Sequence, residues 1–346
     1  MNKRVLRADI LLLLTAGIWG FGFVAQRAGM QHIGPFAFNG IRFILGGLSL
    51  LPFIIVKRKA AFSPSLPDAG CPLWKLLPPS LAAGGCLFIA ISLQQFGVLF
   101  TTVANAGFIT SFYVVLTPIF GIFLGKKTGL PTWVGAAFTI IGLYFLVMNA
   151  NIGAAGYSGS INPGDILVLI SAFFWAIHVL LIDHFMQGSA VDPLELSAGQ
   201  FAVCGAMALA SAFIFEPHVA AVMGRIDPAL LSAGLFSWLP FPALIAGLRE
   251  GTMFLSLEII IPVLYGSLVS VGIAYTLQVI AQRDAPPAHA AIILCFEGCF
   301  AALGGVLLFS EKIGNWTLLG FTLMLLGMLI TQWEVILKHK RENENV

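Results

Sequence analysis

The sequence predicts an all-α polytopic membrane protein: ten transmembrane helices built as two inverted five-helix repeats. Three observations carry that expectation. The composition is 58% hydrophobic and 10% charged, with a mean hydropathy of +0.94, whereas a soluble domain is about a quarter charged. Windows of about 20 apolar residues, the length that crosses a bilayer, recur along the chain. Short motifs of the first half return, in order, in the second.

The first window, 10–26, follows Lys3, Arg4 and Arg7 and could pass for a secretory leader. No A-x-A cleavage site follows it and further spans do, so an uncleaved first helix is expected. Four more windows, 36–56, 77–100, 104–124 and 132–147, complete a first group of five. A second group comprises 166–182, 194–215, 261–281, 288–309 and 317–333. The corresponding repeat boundaries are 8–150 and 164–334.

The long stretch 216–258 has an apolar middle, "LFSWLPFPALIAGL", broken by Pro240 and Pro242. Counting it as an eleventh span would place Arg283, Lys338, Lys340 and Arg341 outside, against the positive-inside rule. It is read as an outer insertion lying on or dipping into the interface.

With ten spans and the N-terminus inside, thirteen of the eighteen Lys and Arg fall on the cytoplasmic side. They are Lys3, Arg4, Arg7, Lys57, Arg58, Lys59, Lys75, Lys126, Lys127, Arg283, Lys338, Lys340 and Arg341. Four, Arg27, Arg225, Arg249 and Lys312, fall outside, and Arg42 stays in the membrane. That bias places both termini in the cytoplasm and the chain in the cytoplasmic membrane.

"DILLLLTAGIWG" at 9–20 matches "DILVLISAFFWA" at 165–176, pairing Trp19 with Trp175. "LGKKTGLPTWVGAAFTIIG" at 124–142 matches "FSEKIGNWTLLGFTLMLLG" at 309–327, pairing Gly135 with Gly320 and Gly142 with Gly327. The two shifts, 156 and 185 residues, differ by about the length of the outer insertion. An odd number of spans per repeat inverts the second copy, an architecture of secondary transporters with a site near the midplane.

The 5+5 repeat, "AGIWGFGFV", "GPFAFNGIRF", "TTVANAGFIT" and "SEKIGNWTLLGFTLMLLG" together resemble EamA domains of the drug/metabolite transporter superfamily. The resemblance covers nearly the whole chain as two tandem copies. It implies a ten-helix carrier of small metabolites, often an exporter of amino acids or related compounds. The chain departs from the family pattern in the insertion and in Gly125-Lys126-Lys127, where the family often has an acidic residue.

Arg42 interrupts a stretch that otherwise reads as oil. At 3.6 residues per turn, Asn39, Arg42, Gly46 and Ser49 share one stripe; Ile41, Ile44, Leu48, Leu51 and Ile55 take the other side. A charge facing lipid near the bilayer centre costs at least ~3 kcal/mol, so Arg42 is expected to face the interior. The competing explanation is snorkelling, since the outer helix end is only ~9 Å away. In the repeat register Arg42 matches Gln200, each followed by phenylalanine.

Glu297 is expected ~14 Å into a helix that enters from the cytoplasm, beside small Ala290, Ala301 and Gly304. Its counterpart is Phe112, so packing symmetry does not ask for an acid. An intramembrane carboxyl is a candidate proton carrier; the alternative is a structural hydrogen bond or an ion pair, for which Arg42 is a candidate partner. Trp19, Gln94, Asn105, His178, Tyr275 and Gln278 are further substrate-binding or coupling candidates, each also open to a purely interhelical role. Softer inward stripes hold Thr15, Gly22 and Gln26 on the first helix and Ser171 with Trp175 on the sixth.

An intramembrane enzyme is the rival class, from "GYSG" at 156–159, but that string sits in an outer loop with no histidine nearby. A structural membrane protein is the other rival, set against the cost of keeping both Arg42 and Glu297. There is no Walker loop. The five cysteines match no disulfide framework and no metal spacing, so no cofactor or metal is expected. The expected partners are a small metabolite and the lipid bilayer, with no nucleic acid. Gly121 and Gly125 form a G-x-x-x-G that leaves a homodimer open.

Overall fold

A computed structural model describes residues 3–61, 73–123, 125, 129–149, 162–187, 191–226, 257–285 and 287–344. Among them the chain is all-helical. The first half forms α1 (Lys3–Gly29), α2 (Pro35–Ala61), α3 (Leu73–Phe100), α4 (Val103–Thr110), α5 (Tyr113–Phe123) and α6 (Leu130–Asn149). The second forms α7 (Pro163–Met186), α8 (Pro193–Ile226), α9 (Leu257–Leu264), a π-helical segment (Tyr265–Tyr275), α10 (Thr276–Ala281), α11 (Pro287–Leu294), α12 (Glu297–Phe309) and α13 (Asn315–Glu344).

Local chemistry sets the helix starts. Pro163 opens α7 behind Asn162, whose side chain accepts from Gly164 N at 2.7 Å. Asp192 accepts from Leu194 N at 3.0 Å ahead of Pro193. Thr102 caps α4 by accepting from Asn105 N at 3.0 Å.

Seven helical stretches are long and apolar enough to cross a bilayer: Leu6–Gly29, Pro35–Lys59, Trp74–Phe100, Val103–Phe123, Pro163–Met186, Pro193–Glu216 and Leu257–Ala281. Trp133–Gly142, Glu297–Phe309 and Asn315–Gly327 are shorter apolar helices. The chain is thus a multi-pass membrane protein by the length and composition of its helices.

Three of the expected continuous spans are interrupted. The fourth window breaks at Ser111–Phe112, between α4 and α5, and the ninth at Cys295–Phe296, between α11 and α12. The eighth passes from α-helix to π-helix and back. Neither break contains glycine or proline. At the first, the Ser111 hydroxyl lies 2.8 Å from Gly107 O and 3.1 Å from Cys295 O, serving both helices at once. Ser111 and Phe296, matched at the 185-residue shift, have the same backbone: φ −58°, ψ −11° and φ −60°, ψ −11°.

α8 continues to Ile226 and α9 begins at Leu257, so 216–258 is helical at both ends. Its middle, including Pro240 and Pro242, lies outside the described residues, as do "GYSG" at 156–159, Lys126 and Lys127. Gly125 stands past the end of α5 at φ 76°, a helix-terminating conformation. Gly121 and Gly125 therefore do not share a helix face.

Packing runs mainly between the halves: α2 lies on α8, α3 on α7, α4 on α12, and α6 on α13. The α6–α13 seam uses the repeated glycines. A Cβ on Gly142 would stand 2.6 Å from Gly320 O, and one on Gly327 would stand 2.4 Å from Gly135 O. Only hydrogen fits at either place. On α2, Leu45, Leu48, Leu51 and Ile55 are exposed and form the lipid face. Ile41 and Ile44, expected on that face, are half-buried; Ile44 packs on Gly205 of α8.

Candidate functional site

α1, α2, α3, the two interrupted helices, α7 and the π segment converge on a small polar cavity of about 30 Å³. Arg42 of α2 lines it and is 1% exposed. Its guanidinium therefore stays in the interior and does not snorkel to the surface. Nε donates to Asn39 Oδ1 at 3.1 Å, and the guanidinium carbon lies 5.1 Å from the Phe43 ring centre and 5.6 Å from that of Phe38. Nη2 is buried without a hydrogen-bond partner.

Glu297 also lines the cavity, in the first turn of α12 immediately after the break. A helix N-terminus there favours negative charge. Its Oε1 is buried without a partner. No ion pair joins Arg42 to Glu297 among the described residues, so the pairing raised from the sequence is not made.

Between the charges stands an aromatic group centred on Tyr275. Its ring lies 4.5 Å from Trp19, 6.2 Å from Trp175 and 5.8 Å from Phe43. Hydrogen bonds hold the indoles in place: Trp19 Nε1 donates to Ser270 O at 3.2 Å, and Trp175 Nε1 to Gln94 Oε1 at 2.8 Å. Gln94 Nε2 in turn donates to Gln26 Oε1 at 3.2 Å. Gln278 completes the wall, its Oε1 buried and unpartnered.

Six sequence candidates thus meet at one cavity: Arg42, Glu297, Trp19, Gln94, Tyr275 and Gln278. Two do not line it. His178 is fully buried one turn beyond Trp175 and pairs through Nε2 with Gln200 Oε1 at 2.8 Å. Asn105 sits in the capped first turn of α4. The cavity adds Thr110 and Tyr113, whose hydroxyls are buried and unpartnered. They flank the α4–α5 break, and only the Thr-Ser pair in "GFITSFYVV" hints at an interruption there.

A buried cation, a carboxyl group and free hydroxyls around aromatic faces can receive a small molecule carrying opposite charges.

Comparison with known proteins agrees with this geometry. The EamA-like transporter family matches residues 6–148 and again 162–333. An uncharacterized transporter of Archaeoglobus fulgidus is 30% identical over 331 residues, covering 95% of this chain and 87% of that protein. The Bacillus subtilis protein YvbV, an uncharacterized transporter, is 27% identical over 75% of this chain and 81% of its own. The uncharacterized inner membrane transporter YedA of Escherichia coli K12 is 29% identical over 46% of this chain and 47% of its own. A crystal structure 15% identical in sequence superposes with a TM-score of 0.61 over 93% of this chain and 95% of its own, a likeness of fold. With two matches that together span nearly all of its length, and helices that converge on a polar cavity, this chain belongs to the EamA-like transporter family.

Proposed function

We propose that the protein is a secondary transporter in the cytoplasmic membrane that moves a small zwitterionic metabolite, an amino acid or close relative, through the central cavity. One observation carries the reading: five lining residues, Arg42, Glu297, Thr110, Tyr113 and Gln278, hold buried polar atoms without partners. Such atoms are costly unless a ligand satisfies them. A substrate carboxylate suits the planar fork of Arg42. A substrate ammonium suits Glu297 and the faces of Trp19, Trp175 and Tyr275.

The mechanism is alternating access: two inverted five-helix repeats rock about the cavity. The matching backbones at Ser111 and Phe296 and the reciprocal Gly142–Gly320 and Gly327–Gly135 approaches support that repeat. Discontinuous helices at the cavity are a recurrent device of such carriers. Both termini lie in the cytoplasm on the basic-residue bias. Transport runs as export, by proton coupling through Glu297 or by exchange.

Counterflow in proteoliposomes tests the substrate class. Zwitterionic amino acids should exchange, while the matching amines and carboxylate esters, lacking one charge, should exchange at least tenfold more slowly. Equal exchange of the amines would remove Arg42 from the site.

A further inference from the structure

At one end of the bundle the Glu311 side chain ties the end of α12 to the start of α4. Glu311 follows α12, and Ser310 between them adopts a left-handed backbone, φ 53°, that turns the chain back. The Glu311 carboxylate accepts from Val103 N at 2.8 Å and from Ala104 N at 3.2 Å, the first two amides of α4. Arg27, at the end of α1, stands 3.6 Å from the same carboxylate and donates to Thr101 O at 2.8 Å. Its guanidinium also lies 5.4 Å from the Phe309 ring centre. Arg27 and α4 belong to the first matched segment and Glu311 to the second.

Two further features distinguish this tie from ordinary helix capping. α4 runs from the Glu311 contact to Thr110, and α12 runs back from it to Glu297, so both tied helices end at the cavity. Where they cross, small residues let the helices approach: a Cβ on Gly107 would lie 2.4 Å from Ala301 Cβ, and the Phe108 side chain stands against Gly298. The tie is also near water, Glu311 being 11% and Arg27 35% exposed, so water can replace its bonds on opening.

We infer that Glu311 and Arg27 form a releasable latch that closes the transport path at this end of the bundle. Bound to α4, Glu311 holds α4 and α12 together above the cavity; release lets them part and exposes Thr110 and Glu297 from that side. The inference rests on the alternating-access reading, and Glu311 acts as a positioning residue rather than a substrate ligand.

Sided labelling tests it without substrate. A Thr110→Cys reporter, in full-length protein with the native cysteines replaced, is exposed to a membrane-impermeant maleimide in right-side-out and inside-out vesicles. Glu311→Ala should raise labelling about tenfold from one face and lower it from the other, the signature of a shifted equilibrium. Glu311→Asp should restore most of the parental rate. Arg27→Gln leaves the α4 cap in place and should give a smaller shift of the same sign, which serves if Glu311→Ala does not fold. Unchanged labelling from both faces in folded Glu311→Ala and Arg27→Gln would reduce the tie to a helix cap. A latch that responds in a protein showing no counterflow of any zwitterion would instead count against the transport reading.

Discussion

Arg42 on α2 and Gln200 on α8 hold matching places 158 residues apart, and the two halves use them differently. Arg42 sends a guanidinium into the cavity with Nη2 unpartnered. Gln200 is fully buried away from the cavity and spends its carbonyl on His178. The acid is distributed the other way: Glu297 lines the cavity, while its counterpart Phe112 packs against the apolar core. Ser111 and Phe296, matched at the 185-residue shift, have nearly the same dihedrals. The charges at the cavity thus come from positions where the matched side chains differ, one in each half.

The largest effect should come from removing the acid. Glu297→Gln is expected to reduce transport driven by a pH gradient to the leak of protein-free liposomes, because an amide cannot carry a proton, while counterflow persists at a raised half-saturating concentration because the partner of the substrate ammonium is weakened. Retained gradient-driven transport would leave the second half without its distinguishing role.

Making the other pair alike sharpens the comparison. Arg42→Gln should weaken zwitterion binding by about 1.5–3 kcal/mol, roughly 10- to 150-fold in Kd by calorimetry, with Tm unchanged or raised since a buried charge is gone. Arg42→Lys should recover only part, as an ammonium lacks the bidentate fork. Gln200→Leu should do the reverse: leave Kd within about twofold and cost about 1–3 kcal/mol of stability by stranding His178. The same profile from both substitutions would abolish the distinction.

The smallest effects concern what the halves share. Gly142→Ala and Gly327→Ala should each cost about 1–2 kcal/mol through overpacking of the seam, equally and without altering Kd. Unequal losses in thermal unfolding would show that the α6–α13 contact is less symmetric than its geometry.

How far the sequence carried depended on what periodicity can register. Apolar windows located helices, because twenty apolar residues have few other uses. The Thr-Ser pair was the one hint of the break at Ser111–Phe112, and the break at Cys295–Phe296 left none, since neither contains glycine or proline; contact between the two crossing helices accompanies both. The inward stripe found Arg42, and small neighbours found Glu297. The same logic overreached at His178 and Asn105, because an inward polar group serves a neighbouring helix as readily as a cavity. Tyr113 and Thr110 were missed for the complementary reason: their hydroxyls matter only because the break turns them inward.

The aromatic group at the cavity has an optical consequence. Trp19 and Trp175 are within 6.3 Å of each other beside Tyr275, while Trp74, Trp133 and Trp316 are exposed on the outside of the bundle. Brominated lipid acyl chains reach only the second kind. With Trp238 and Trp333 replaced, the emission remaining in such membranes is weighted toward the cavity indoles, so the protein carries its own fluorescent report of whatever enters beside Arg42 and Glu297.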